Sequence, residues 1–406
     1  MRIYLSLLLL FFVLLQQCTD HEVSSTIDGI LYSTGQTVSI SIVDGKITGI
    51  KPLARSAEKP ACFIAPGLID IQINGYMGVD FTDPGITSED LQKVTRALWE
   101  TGVTTFVPTV ITHSHDHLIA CFSALAGAPN DPDIRGSIAG FHLEGPYISP
   151  VKGFRGAHLE KYIRLPDSRE FREFQQVAGN GIIIVAVAPE LEGAIPFIET
   201  CVRDGVCVTL AHHNGNAEQV ARAVRAGARL SNHLGNGCAN MINRHHNPIW
   251  PQLAEDSLSI SIIADGFHLT REEVRSFYQV KGDDKTILVS DALDLAGLPP
   301  GEYTRWERTV VLTPDVVKFP AEDVLAGAAS PLRKCVGNMM RFTGCSLESA
   351  IHMASRNPAR LLGLREIGEI GPGMRADLIL FTVEDGELVI NKTFVNGELV
   401  YAQSDE

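Results

Sequence analysis

IAGFHLE (138–144), VCVTLAH (206–212), ARLSNH (228–233) and KTILVSD (285–291) share one plan. Each is a short apolar, strand-like run followed at once by a residue that can bind a metal or move a proton: Glu144, His212, His233 and Asp291. Two neutral imidazoles and a carboxylate form an N/O ligand set suited to a borderline or hard divalent ion such as zinc or iron. A further carboxylate is what metal-assisted hydrolysis needs, because something must take a proton from the attacking water and pass it to the leaving group. Any one of these residues alone carries little information. Four at equivalent places in successive βα units point to a site.

The rest of the middle of the chain repeats that unit. Strands are expected at 68–73, 103–107, 137–143, 182–187, 206–211, 228–232, 258–263 and 286–290. Helical patterns lie between them. SEDLQKVTRALWETG (88–102) has Ser88 as a cap and Gly102 as a terminator, and NAEQVARAVRAGA (216–228) has Asn216 as a cap. Further helices are expected in SPLRKCVGNMMRFTG (330–344) and SLESAIHMAS (346–355). Eight βα repeats fit an α/β (β/α)₈ TIM barrel over residues 63–365, whose catalytic residues stand at the C-terminal ends of its strands. An open doubly wound sheet fits less well, since no G-x-G-x-x-G follows the first strand.

Both flanks read differently. TVSISIVDGKITGIKPL (37–53) alternates β-branched residues around Asp44-Gly45, a hairpin signal. GMRADLILFTVEDGELVINKTFVNGELVY (373–401) has strand runs broken at Asp385-Gly386 and Asn396-Gly397. Segments 22–62 and 366–402 are therefore expected to form one small β-sandwich built from both chain ends. A chain of 406 residues is long enough for such a pair of domains.

Charge narrows the partners. With 34 basic and 48 acidic residues the net charge is −14, which argues against a nucleic-acid partner. An anionic small substrate remains compatible, because the local charge of a pocket need not follow the net charge. The first residues, MRIYLSLLLLFFVLLQQC (1–18), read as an export signal: Arg2, then an apolar run Ile3–Leu15 too short to span a bilayer. Cys18 directly after it suggests a lipid anchor. The other cysteines show no C-x-x-C or zinc-finger spacing and read as buried apolar thiols.

Longer stretches carry a resemblance. PGLIDIQING (66–75), FHLEGPY (141–147), GFRGAH (153–158), TLAHHNGN (209–216), NHLGN (232–236), IADGFH (263–268), LVSDA (288–292), LAGAA (325–329), NPARLLGL (357–364) and GMRADLIL (373–380) span most of the chain. Together they resemble the amidohydrolase superfamily, and within it the branch that deacetylates N-acetylglucosamine 6-phosphate. HLEGP with IADG-x-H is specific to that branch. The opening and closing motifs are shared across the superfamily.

The resemblance implies a metal-dependent deacetylase with one divalent ion, zinc or iron, on Glu144, His212 and His233, and Asp291 as the catalytic acid–base. Many superfamily members have H-x-H after the first strand. Here Gln72 and Asn74 stand in those places, and amides are poor ligands, so a second metal is not expected. Ala157, His158, Asn236, Gly237 and His268 would meet the substrate, and Leu325, Ala326 and Gly327 would line the pocket through main-chain groups. Arg244 stands where the family lends a phosphate-binding arginine across a homodimer, although the surrounding GCANMINRHHNPIW (237–250) departs from the family's wording. THSHDH (112–117) looks like a metal cluster but reads better as a loop and helix start capped by Ser114 or Asp116. Another amidohydrolase reaction would keep the metal set without HLEGP and IADGFH. A non-catalytic binding protein would be expected to have lost Asp291 or a ligand. The export signal conflicts with a sugar phosphate, which is an intracellular substrate.

Overall fold

The computed structural model describes residues 24–53, 62–305, 308–314, 316–319 and 324–404. The export signal and Cys18 lie outside these residues. Among the described residues no helix is long and apolar enough to cross a membrane.

Eight strands form one sheet in chain order: β1 (Leu68–Ile73), β2 (Val103–Ile111), β3 (Phe141–Glu144), β4 (Ile182–Val187), β5 (Cys207–Leu210), β6 (Leu230–Ser231), β7 (Ser259–Ile262) and β8 (Thr286–Leu288). Every neighbouring pair of these strands is parallel, and helices cross between them. Beyond β8 the chain meets the end of β1: Asp291 N donates to Gln72 O at 2.9 Å and Asn74 N to Ala292 O at 2.8 Å. These bonds draw the sheet round into the expected (β/α)₈ barrel. Phe122 packs between Phe141 of β3 and Phe174 of the next helix, tying barrel wall to outer shell.

Several boundaries differ from expectation for local reasons. The third strand starts at Phe141 instead of 137, because Gly140 at φ +152° lies against the Gly181 carbonyl, where a Cβ would come within 2.8 Å. The sixth is only two residues long. The first long helix, Ser88–Glu100, is capped by Thr87 and not by Ser88. Thr87 accepts from Asp90 N while the Asp90 carboxylate accepts from Thr87 N, closing a capping box. Asn216 closes the same kind of box with Gln219.

The chain ends build the expected small β domain. Its strands form one continuous seven-stranded sheet in which Phe63–Pro66 joins the N-terminal hairpin to the C-terminal strands. That strand belongs to the small sheet, so the crossing into the barrel falls at Gly67. Asp44-Gly45, Asp385-Gly386 and Asn396-Gly397 all have positive φ at both residues, as their tight hairpins require. A four-stranded antiparallel sheet within Gly301–Ala328 was not expected. Arg305 anchors it, reaching Asp294 at 2.6 Å and Asp80 at 3.1 Å. Among the described residues seven cysteines are free, three of them buried.

Gly67 is the hinge of this arrangement in the packing sense, since a Cβ there would lie 2.1 Å from Thr104 Oγ1. Gly67→Ala should therefore lower stability by roughly 1–3 kcal/mol, the usual range for overpacking. A thermal midpoint would show it, and Thr104→Gly in the same chain should return part of the loss. An unchanged midpoint would contradict the close approach.

Candidate active site

Glu144, the last residue of β3, is buried at the barrel mouth with His212 and His233, which follow β5 and β6. Their ligand atoms all lie within 4.8 Å of one another, the one such group among the described residues. His233 Nε2 is 2.9 Å and His212 Nε2 3.5 Å from the same oxygen, Glu144 Oε1. Burial alone would raise the Glu144 pKa, but the imidazoles of His212 and His233 that face it hold it well below the usual carboxylate range.

The backbone does the aiming. His212, His233 and Asp291 have φ of 46°, 28° and 50°, the left-handed region that side chains rarely adopt. A strand ending in that conformation turns its last side chain out of the pleat and over the mouth. Three such residues at one site are local strain that the surrounding hydrogen bonds must hold.

His212 supplies a test of whether a cation fits. Its Nδ1 lies 3.0 Å from Phe154 O, a carbonyl that can only accept, so Nδ1 carries the ring proton. A neutral ring then presents a lone pair at Nε2 to the Glu144 carboxylate. Two electron-rich atoms at that distance repel unless a cation lies between them or the ring is protonated. A main-chain carbonyl on the far nitrogen is also the usual partner of a metal-binding imidazole. The three residues therefore fit a divalent ion.

Asp291 is held beside this group by amides. Gln72 Nε2 donates to Glu144 Oε1 at 3.0 Å and to Asp291 Oδ1 at 3.1 Å, and Asn74 Nδ2 donates to the same Asp291 oxygen at 2.7 Å. Asn232 Nδ2 adds a further bond to Glu144 Oε1 at 3.0 Å. Thus the two side chains in the H-x-H places donate to carboxylates. Burial and the nearby Glu144 charge raise the Asp291 pKa to about 6, the range in which a carboxyl can both take and give a proton near neutral pH.

The remaining candidates fall into groups. His158 packs edge-on against the His212 ring with centroids 4.5 Å apart, and its Nδ1 meets Thr112 Oγ1 at 2.7 Å. Burial, then His212, push its pKa down to about 3, so the ring is neutral. Ala157 is exposed beside it. Gly237 lies against His212, where a Cβ would be 2.9 Å from the main-chain nitrogen, and Asn236 has a buried Nδ2 with no partner among the described residues. His268 is pinned through Nδ1 to Asp265 at 2.8 Å and is close enough to lower the Asp291 pKa. Leu325, Ala326 and Gly327 belong to the strand Val324–Ala328, which meets the Asp291 turn through Leu293 N to Ala328 O at 3.0 Å. Arg244 is exposed, and this single chain does not bring it to the buried group.

THSHDH is a loop and helix start as expected, with Ser114 at the N-cap position although its side chain makes no cap bond. His113 stacks on His117 at 3.5 Å, a parallel arrangement unsuited to sharing an ion. Sequence reasoning missed Thr112, Asn232 and Asp70. Asp70, on β1 below the site, accepts from Gln72 N and Ser290 N at 3.3 Å each, and burial raises its pKa to about 7. Asn232 and Asp70 stood next to recognised motif residues, and only the inward face of the strands marks them.

Known proteins share this framework. A Bos taurus protein named N-acetylglucosamine-6-phosphate deacetylase is 34% identical over 360 residues, 84% of each chain. An N-acetylgalactosamine-6-phosphate deacetylase of Escherichia coli O157:H7 is 30% identical, covering 89% of this chain and 94% of its own. The solved structure of N-acetylglucosamine-6-phosphate deacetylase from Thermotoga maritima superposes with a TM-score of 0.82 at 28% identity, over 93% of this chain and 100% of that one. The model of the Amidohydrolase family matches residues 63–400, which include every ligand candidate, and the chain belongs to that family.

Proposed function

We propose that the protein hydrolyses the N-acetyl group of N-acetylglucosamine 6-phosphate, releasing glucosamine 6-phosphate and acetate. The observation that carries this reading is Asp291 fixed by Gln72 and Asn74 beside the Glu144–His212–His233 group. The relatives named for this reaction support the substrate.

Glu144, His212 and His233 would hold one divalent ion, with zinc the choice best suited to two imidazoles and a carboxylate. When bound, such an ion polarises an amide carbonyl and makes water a better nucleophile. Asp291 accepts a proton from the attacking water and gives it to the amine nitrogen as the C–N bond breaks. Its raised pKa suits both transfers. His158 and His268 flank the group and would orient the acyl sugar, with the Asn236 amide and the main chain of Gly237 and Leu325–Gly327 meeting its oxygens. The phosphate would be held by Arg244 of a second subunit in a homodimer, since a guanidinium binds phosphate bidentately.

The sequence of the leader favours a second reading of the same site. Export on the Ile3–Leu15 run, with a lipid on Cys18, would place the enzyme in the cell envelope, where the substrate is an unphosphorylated N-acyl sugar. A relative named N-acetylgalactosamine-6-phosphate deacetylase supports a framework that can serve more than one amino sugar. Acetate release from a panel of N-acetyl sugars, with and without the 6-phosphate, separates the two.

Purified protein should hold about one equivalent of divalent metal, and His212→Ala should lose it. Two equivalents, or metal retained in that variant, would reject the ligand set. In Asp291→Asn the shape is kept and the base removed, so turnover should fall by roughly 10²-fold or more while metal content is unchanged. Near-normal turnover would sink the assignment. Arg244→Ala should raise KM for the phosphorylated sugar by roughly 10–100-fold, the worth of a charge-assisted hydrogen bond, and leave the plain sugar alone. Equal loss with both sugars, or a monomer in solution, would count against the lent arginine.

A further inference from the structure

After β3 the chain leaves the barrel at Pro146 and comes back to nearly the same point, where Arg164 N donates to Pro146 O at 3.2 Å. Within this closed loop lie most of the contacts that orient His212. Ser149 N donates to His212 O at 2.9 Å, and Phe154 O takes the Nδ1 proton at 3.0 Å. Gly156 packs so close to the ring that a Cβ would lie 2.8 Å from Cε1. His158 stands on the same loop. Its regular structure is confined to a three-residue turn, Glu160–Tyr162, and local bonds such as Arg155 to Pro150 O at 2.9 Å shape its middle, while its two ends are fixed from outside.

One carboxylate ties down both ends. Tyr147 Oη donates to Glu170 Oε2 at 2.8 Å. Arg164 Nε lies 2.9 and 3.0 Å from the two Glu170 oxygens, and a terminal nitrogen lies 2.8 Å from Oε1. The other terminal nitrogen of Arg164 donates to the carbonyls of His113 at 3.0 Å and Tyr162 at 2.8 Å. His115 Nδ1 completes the knot 3.1 Å from Glu170 Oε1. Glu170 itself sits in the first turn of the helix Ser168–Val177, a rigid element outside the loop.

We infer that Glu170 is a positioning residue: through Tyr147 and Arg164 it fixes the loop that sets the ring orientation of His212 and places His158. Its partners are Tyr147, Arg164 and His115, none of them in the ligand set. The inference rests on His212 as a metal ligand, and its test reads the metal directly. In Glu170→Gln, zinc affinity measured by chelator competition should fall by about 10-fold, the low end for outer partners of metal-binding histidines. Amides of residues 147–158 should exchange faster by a similar factor, while the thermal midpoint moves little. Glu173→Gln, whose exposed carboxylate reaches His115 at 3.3 Å, should change neither. Should Glu170→Gln fail to fold, Tyr147→Phe removes one hydroxyl from the same carboxylate and should weaken zinc binding by about 3-fold, less than the loss of the carboxylate because Arg164 still holds it. Unchanged affinity and exchange in the folded variant overturn the inference. A wild type that binds no zinc overturns it together with the ligand set. One that binds zinc yet releases no acetate overturns only the deacetylase reading.

Discussion

A single carboxylate oxygen organises the mouth of this barrel. Glu144 Oε1 is buried, and His233, Gln72 and Asn232 all bring a nitrogen to about 3 Å from it, with His212 somewhat farther. A buried carboxylate without such partners would be costly, because desolvation penalises charge heavily. These nitrogens come from three different strand ends of the barrel, β1, β5 and β6. The wall must therefore be complete before the charge is satisfied, and the charge in turn fixes the position of each strand end.

That demand explains the strained backbone around it. An ordinary strand end would leave His212, His233 and Asp291 aligned with the pleat, pointing alternately into the barrel or at the helices. The left-handed turn at each lifts the side chain over the opening. The barrel supplies rigid posts, and these turns at the tops of the posts convert a packed core into a reactive surface. The closed loop 146–164 adds the outer half of the orientation, from the solvent side.

Much of this was legible in the sequence, and the reasons are physical. Glu144, His212, His233 and Asp291 were visible because each ends an apolar run, and burial of a run is what composition reports best. The hairpins at Asp44-Gly45 and Asn396-Gly397 were visible because few other dipeptides tolerate two positive φ angles. The antiparallel insert within Gly301–Ala328 was not, since its short strands interrupt the βα alternation after the last barrel strand. The cap at Thr87 was misplaced by one residue, as either hydroxyl could have begun that helix. Glu170 was invisible for another reason: its partners Tyr147 and Arg164 meet it only through tertiary folding, and nothing in their spacing announces the meeting.

The seam of the barrel carries a last consequence. Gln72 and Asp291, 219 residues apart in the chain, are joined by both a main-chain and a side-chain bond, and the seam they close runs directly through the site. Contacts of such long range form late and slowly. A ribosome that has released the three ligand-bearing strands, β3, β5 and β6, has still produced nothing able to turn over a substrate. Catalytic competence arrives in one step with closure, and an incomplete chain is silent instead of partly active.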